Sequence, residues 1–229
     1  MSGLARDVAG LRVANPVRLA AGTAGYGREL LGVSDLGCLG GLVTKAVSLL
    51  PRAGNAAPRV AEFRGGMLNS IGLANPGVAQ AARDEIPWLV QHVRGPQILV
   101  NVVGFTEGEY AEVIALLEAV DGIAGYELNL SCPNPSAGGV EFGAAPATVH
   151  AVVGRCRAAT RRPLFAKLSP ACRQSACGRA APHCGHVAGG AVGIPPRTRL
   201  CGRAVSARNR FTRDLGPFHC HHSSRRGWQ

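Results

Sequence analysis

Along residues 1–170 the apolar positions fall into short runs rich in β-branched residues, at 17–20, 41–44, 98–103, 126–130 and 163–168. Each run is bounded by Gly, Pro or polar residues, the pattern of strands buried on both faces of a parallel sheet. Between the runs the period changes to that of a helix. Thr106 with Glu109 three positions later forms a capping box, and Val113, Ile114, Leu116, Leu117 and Val120 then mark one apolar face. Residues 147–159 predict a second helix and 77–94 a third, which Pro87 kinks or breaks. Strand–helix alternation over one parallel sheet predicts an α/β fold, either a (β/α)8 TIM barrel or a doubly wound sheet.

The polar residues choose between the two. Lys45, Asn101, Asn129, Cys132 and Lys167 fall at or just past the C-terminal ends of separate predicted strands. A barrel builds its site at that rim from several strands, whereas a dinucleotide fold concentrates glycines in one first turn. Gly22, Gly25 and Gly27 do not have the GxGxxG spacing. The expectation is therefore a TIM barrel truncated after about its fifth strand.

Composition changes the picture only at the far end. The chain is 46% hydrophobic and carries a net charge of +11, yet residues 1–170 hold 15 basic against 13 acidic residues. Residues 171–229 hold 10 Arg, no Lys and a single acid, Asp214, with five of the eight cysteines and five of the seven histidines. Hydrophobic periodicity is lost there. A disordered basic arm for nucleic acid would share the charge but rarely carries five cysteines. A zinc module could use Cys172, Cys177, Cys184 and His186, at spacings that fit no regular finger. GC-rich codons translated out of frame give this Arg, Ala, Gly, Pro, Cys and His mixture, and composition favours that reading. The division expected is thus a partial barrel over 1–170 and a non-family basic tail over 171–229. Apolar runs are too short to span a membrane and the N-terminus lacks a secretory pattern, so a cytoplasmic location is expected.

The sharpest chemistry lies in Asn129-Leu130-Ser131-Cys132-Pro133-Asn134. The Asn129 amide can donate to and accept from a heterocycle edge. Cys132, lifted above the mouth by the Pro133 turn, can act as a base if the cations Lys45 and Lys167 lower its pKa. Lys167 inside a buried strand needs a partner, which a flavin ring edge or a phosphate would supply. Lys45, just past an apolar strand, fits either a snorkelling surface residue or an anion and cofactor ligand. Residues 65–77, GGMLNSIGLANPG, read as a loop whose backbone and amides, including Asn69 and Asn75, grip a small polar ligand. Residues 135–143 read as a mobile cover, and His92 and His150 as structural.

At these residues the chain resembles the class 1 dihydroorotate dehydrogenases, most closely the class 1B, NAD-linked catalytic subunit. The resemblance rests on NPVRLAAGTAGYG from Asn15, TKAVSLLPRAGNAAPRV from Thr44, GGMLNSIGLANPG, VNVVG, ELNLSCPN and AKLSP, and runs from about residue 10 to 170. It implies oxidation of dihydroorotate to orotate in pyrimidine biosynthesis, with Cys132 as the base at C5 and FMN as the hydride acceptor. It implies substrate contacts at Lys45, Asn69, Ser70, Ile71, Gly72, Leu73, Asn129 and Asn134. FMN contacts are implied at Ala20, Ala21, Gly22, Lys45, Ala46, Asn101, Asn129 and Lys167, with Ala46 where the family usually has Ser. The implied partner is an iron–sulfur, FAD-carrying electron-transfer subunit, in a homodimer or heterotetramer and away from membranes. The family's phosphate-binding loops and last three strands have no counterpart after Pro170, so the chain as written is expected to be inactive or unstable. Two alternatives remain: a related flavin barrel acting on reduced pyrimidine bases, and a non-catalytic remnant whose basic tail binds nucleic acid.

Overall fold

The computed structural model describes residues 3–64, 66–131, 133–134, 140–168 and 191–194, of which 133–134, 140–141, 144 and 191–194 are described by backbone alone. The chain opens with a hairpin of β1 (Arg6–Val8) and β2 (Leu11–Val13). Ala9 and Gly10, with φ of 54° and 87°, occupy the left-handed region that a two-residue hairpin turn demands. Then come β3 (Arg18–Leu19) and β4 (Gly41–Val43), linked by short 3-10 turns. A second hairpin, β5 (Val60–Phe63) with β6 (Gly66–Asn69), leads into a helical stretch from α1 (Gly77–Gln80) through a π turn (Ala81–Glu85) to α2 (Ile86–His92). The helix predicted over 77–94 is one continuous run that ends at His92. Pro87 lies inside it and brings no break, because the π turn just before it, with the Ile86 N–H reaching back to the Ala81 carbonyl, accommodates the bond that Pro87 cannot donate.

The remaining elements are β7 (Gln97–Val102), α3 (Glu107–Leu117), β8 (Gly125–Asn129), β9 (Pro133–Asn134), β10 (Val140–Glu141), α4 (Pro146–Ala159), β11 (Leu164–Lys167) and β12 (Ala191–Ile194). The capping box forms: Thr106 Oγ1 accepts the Glu109 N–H at 3.2 Å, and Glu109 Oε2 accepts the Phe105 N–H at 2.7 Å. Val113, Ile114 and Leu117 are buried as expected, but Leu116 is half exposed, lying off the stripe that faces the sheet.

The main sheet runs β3-β4-β7-β8-β11, all parallel and in chain order. A doubly wound sheet reverses its strand order at a switch point, so this monotonic order is that of a barrel wall. Alternate strand residues face opposite ways. Val100, Val102, Tyr126, Leu128, Leu164 and Ala166 pack outward against α3 and α4. Val43, Leu99 and Phe165 point inward, where Ala9 and Leu11 of the first hairpin cover them. Gln97 Nε2 donates to the Arg12 carbonyl at 3.1 Å, which sets that hairpin across the N-terminal ends of the strands. At Gly125 the wall is tightly packed: a Cβ there would lie 2.6 Å from the Pro163 carbonyl oxygen.

Two segments differ from the sequence expectation. Residues 171–229 carry no predicted strand, yet β12 within them pairs antiparallel with the edge of β11, Leu164 opposite Ile194. An unpaired edge strand is a strong template for any extended segment, whatever its composition. The GGMLNSIGLANPG segment also starts as a strand, since β6 covers its first residues. Residues 169–190 and 195–229, including Cys172, Cys177, Cys184 and His186, lie outside the described residues. Among the described residues no helix is long and apolar enough to cross a membrane.

Candidate active site

Asn101, Glu127 and Lys167 sit on neighbouring strands, Asn101 in register with Glu127 and Lys167 with Asn129. Each shares its strand face with an inward apolar residue two positions earlier, Leu99, Gly125 and Phe165. Glu127 is only 2% exposed. Burying a carboxylate costs several kcal/mol unless it is paired, and here three groups surround it. Asn101 Nδ2 donates to Oε1 at 2.9 Å, Lys167 Nζ lies 3.8 Å from Oε1, and Arg18 Nη2 lies 3.7 Å from Oε2. The amide orientation follows, because turning Asn101 over would set its Oδ1, an acceptor, against a carboxylate acceptor. Asn101 Oδ1 is then left buried without a hydrogen-bond partner. The Asn101 backbone N–H is held by Thr44 Oγ1 at 3.2 Å.

Asn129 ends β8 half-buried. Its Oδ1 accepts from Ser131 Oγ at 2.7 Å, and its carbonyl accepts from the Tyr110 hydroxyl at 2.8 Å. Lys45 is half-buried two residues past β4, its backbone N–H bonded to the Gly25 carbonyl at 2.8 Å. The buried Ala46 carbonyl accepts from Tyr26 Oη at 3.2 Å. Burial, with Glu85 and Glu29 adding to it, pushes the Tyr26 phenol well above its ordinary range, so it stays a donor. Ala20, Ala21 and Gly22 follow β3 directly, at the same rim.

The loop after β6 reaches this rim through Leu73, which packs with Ala46, Val103 and Phe105. Gly72 and Leu73 take consecutive left-handed conformations, φ 72° and 58°; Leu73 pays backbone strain there that glycine would avoid. Arg52 lies with its guanidinium 4.5 Å over the Phe105 ring and donates to the Gly72 carbonyl at 3.5 Å. Ser70 Oγ and its carbonyl accept from Asn55 Nδ2, and Ile71 is half-buried. Asn69 is exposed and makes no hydrogen bond to Lys45, Asn101, Asn129 or Lys167 among the described residues. Asn75 does not face a ligand. Its amide is spent on Ser48, Leu73 and Gly77, fastening the loop to the start of α1.

Cys132 and residues 135–139 lie outside the described residues; of Asn134 only the backbone is described, paired with Val140. His92 is structural, stacked on Trp88 with Nδ1 2.8 Å from the Trp88 carbonyl oxygen. His150 is exposed on α4. Sequence reasoning passed over Glu127 and Arg18. A signal existed: Glu127 interrupts an apolar strand two places before Asn129, on the same face.

Five parallel strands in chain order, with charged and amide side chains gathered on the inner face and at the C-terminal tips, define the first part of a β/α barrel of the enzyme type. The dihydroorotate dehydrogenase family model matches residues 3–184, and the chain belongs to that family. The match passes Pro170, beyond the point where the quoted motifs end. The dihydroorotate dehydrogenase B (NAD(+)) catalytic subunit of Pelobacter propionicus is 48% identical over 164 residues, covering 72% of this chain and 53% of that protein. The proteins of the same name from Desulforudis audaxviator and Citrifermentans bemidjiense are 47% and 45% identical, each over 71% of this chain and 52% and 53% of their own lengths. The chain spans about half the length of the curated relatives it matches.

Proposed function

We propose that the chain is the ring-binding half of a dihydroorotate dehydrogenase catalytic subunit, built to hold FMN and dihydroorotate at the mouth of the barrel. The observation that carries this reading is the buried, unpartnered Asn101 Oδ1 on β7, in a sheet that carries Lys45 just past the adjacent β4 and Lys167 on β11, two strands away. A buried acceptor without a donor costs roughly 1–3 kcal/mol, and a flavin ring edge, with its N–H and carbonyls, matches an acceptor flanked by donors. FMN, when bound, supplies the hydride acceptor that side chains lack. Lys45, Asn129 and the Asn69–Leu73 loop then orient dihydroorotate, and Cys132 takes its C5 proton. Ala20, Ala21, Gly22 and Ala46 offer small side chains and backbone groups where a flat ring approaches. Orotate is the product, in pyrimidine synthesis, and a separate electron-transfer subunit receives the electrons, as the name borne by the relatives suggests.

The test is direct. The 229-residue chain is purified and titrated with FMN and with riboflavin, following flavin fluorescence, and orotate formation is assayed separately. Quenching by both flavins with similar affinity is expected, because the residues named grip the ring, and turnover by this chain alone is expected to be absent. No quenching by either flavin would overturn the ring site, and perturbation of the bound flavin by dihydrouracil but not dihydroorotate would move the reading to a reduced-pyrimidine enzyme. We read residues 171–229 as an out-of-frame tail; a one-base shift near codon 170 that restores barrel strands supports this, and an uninterrupted frame without one overturns it.

A further inference from the structure

We infer that Glu127 is a positioning residue: its carboxylate fixes both Asn101 and Lys167 so that the barrel interior presents one acceptor and one cation, at set places, to a ring ligand. The inference rests on the flavin reading above but assigns a role to a residue that reading does not use. Barrel interiors are normally filled by layers of branched aliphatic side chains, and well-packed apolar residues are often as stabilising as a buried ion pair. A charge held at 2% exposure in that layer is therefore a poor choice for stability alone. The bonding pattern says what it does instead. Oε1 receives Asn101 Nδ2 at 2.9 Å, which forces Oδ1 to the opposite side, and the same oxygen draws Lys167 Nζ to 3.8 Å. Arg18, 3.7 Å from Oε2 and partly exposed, balances the second oxygen. These are the charged groups that face the carboxylate among the described residues. A neutral isostere keeps the volume and one acceptor for Asn101 Nδ2, but it removes the charge that draws Lys167 and adds an NH2 that competes for the Asn101 side of the site.

This chain makes the test clean, because Lys45 and Lys167 are its only lysines. With 13C-labelled lysine the side chains give two sets of Cε signals, and Lys45 is the internal control. In E127Q the Lys167 Cε is expected to gain the fast motion of an unrestrained lysine while Lys45 is unchanged, and flavin affinity is expected to fall roughly tenfold. Cooperative melting of the flavin-free protein should be retained, which a merely structural role would not predict alongside lost binding. Unchanged flavin affinity in E127Q, or a Lys167 that stays restrained, overturns the inference. If the unmodified chain binds no flavin, the ring-site reading fails, and the Lys167 motion alone decides whether Glu127 holds its partners. Should E127Q not fold, R18Q replaces it: Lys167 still restrained and flavin still bound support Glu127 as the organising group, and loss of both assigns the organisation to Arg18 and overturns it.

Discussion

Strand β8 carries two polar clusters that differ in how fully their hydrogen bonds are met. On the side of the strand N-termini, Glu118 at the end of α3 accepts from Tyr126 Oη at 2.7 Å and Thr160 Oγ1 at 2.8 Å, with Arg162 Nε 3.6 Å away. Arg162 goes on to donate to the Glu118 and Val120 carbonyls. That cluster ties the ends of α3 and α4 to the starts of β8 and β11. One residue further along β8, on the inner face, Glu127 is equally surrounded, yet its partner Asn101 retains a buried acceptor with nothing to accept. In a barrel the N-terminal end serves stability and the C-terminal end serves chemistry. The contrast is visible at single oxygen atoms: Glu118 Oε1 accepts two hydroxyls, whereas Asn101 Oδ1 is left one bond short.

Removing the hub of the saturated cluster should have the largest effect. Glu118→Ala strands the Tyr126, Thr160 and Arg162 donors and is expected to cost about 2–4 kcal/mol in urea unfolding. The folded fraction should still quench riboflavin normally, and weakened flavin binding at unchanged stability would erase the distinction between the clusters. Asn101→Leu is the converse: flavin affinity should drop roughly tenfold, while the unfolding midpoint reflects a loss of about 1.5–3 kcal/mol from the bond to the buried Glu127 carboxylate. A third effect comes from Cys156, which α4 buries against the sheet. Burial pushes its thiol from 9.0 up to about 12, the nearby Arg157 opposing only in part. The unfolded chain therefore loses this proton first as pH rises, so the related stability is complete below about pH 9 and is lost toward pH 12. Cys156→Ala should lessen the alkaline loss without abolishing it, since burial and the bond to Glu118 also raise the Tyr126 phenol. At pH 8 a thiol reagent should modify the exposed Cys38 in the folded protein and spare Cys156, as peptide mass spectrometry would show. The smallest effect belongs to Arg157, whose Nη1 donates to the Thr160 carbonyl at 3.4 Å while Nε and Nη2 are buried without partners, and whose guanidinium burial holds below its ordinary pKa. Arg157→Met should melt within about 0.5 kcal/mol of the parent, and a larger loss would show that the bond to Thr160 outweighs the two unpartnered nitrogens.

Most of the barrel wall is legible along the chain because buried parallel strands are written as apolar runs. The five predicted runs coincide with β3, β4, β7, β8 and β11 to within a residue or two at each end. Asn101, Asn129 and Lys167 stood out as polar interruptions near the ends of such runs. Glu127 was equally visible, but an acid inside Tyr-Glu-Leu-Asn-Leu suggests an exposed position until the neighbouring strands enclose it. Asn75 misled in the opposite direction. Its glycine-rich surroundings look like a ligand loop, and only the folded chain shows that Ser48, twenty-seven positions away, consumes its amide. The pairing of β12 with β11 was missed although Ala191-Val192-Gly193-Ile194 is a short apolar run between Gly190 and Pro195: a run of four does not say which edge it joins, and edge pairing is set by the backbone of the partner strand.

From the order of residues alone came the alternation of strand and helix, the family motifs, and which amino acids carry proton-accepting or cationic groups, because period and residue type are local properties. The folded arrangement decided which of those groups meet. Whether a carboxylate lies in solvent or within reach of Arg18, Asn101 and Lys167 depends on strands as far apart in the chain as positions 18 and 127, and on the burial of Glu127 that their packing creates.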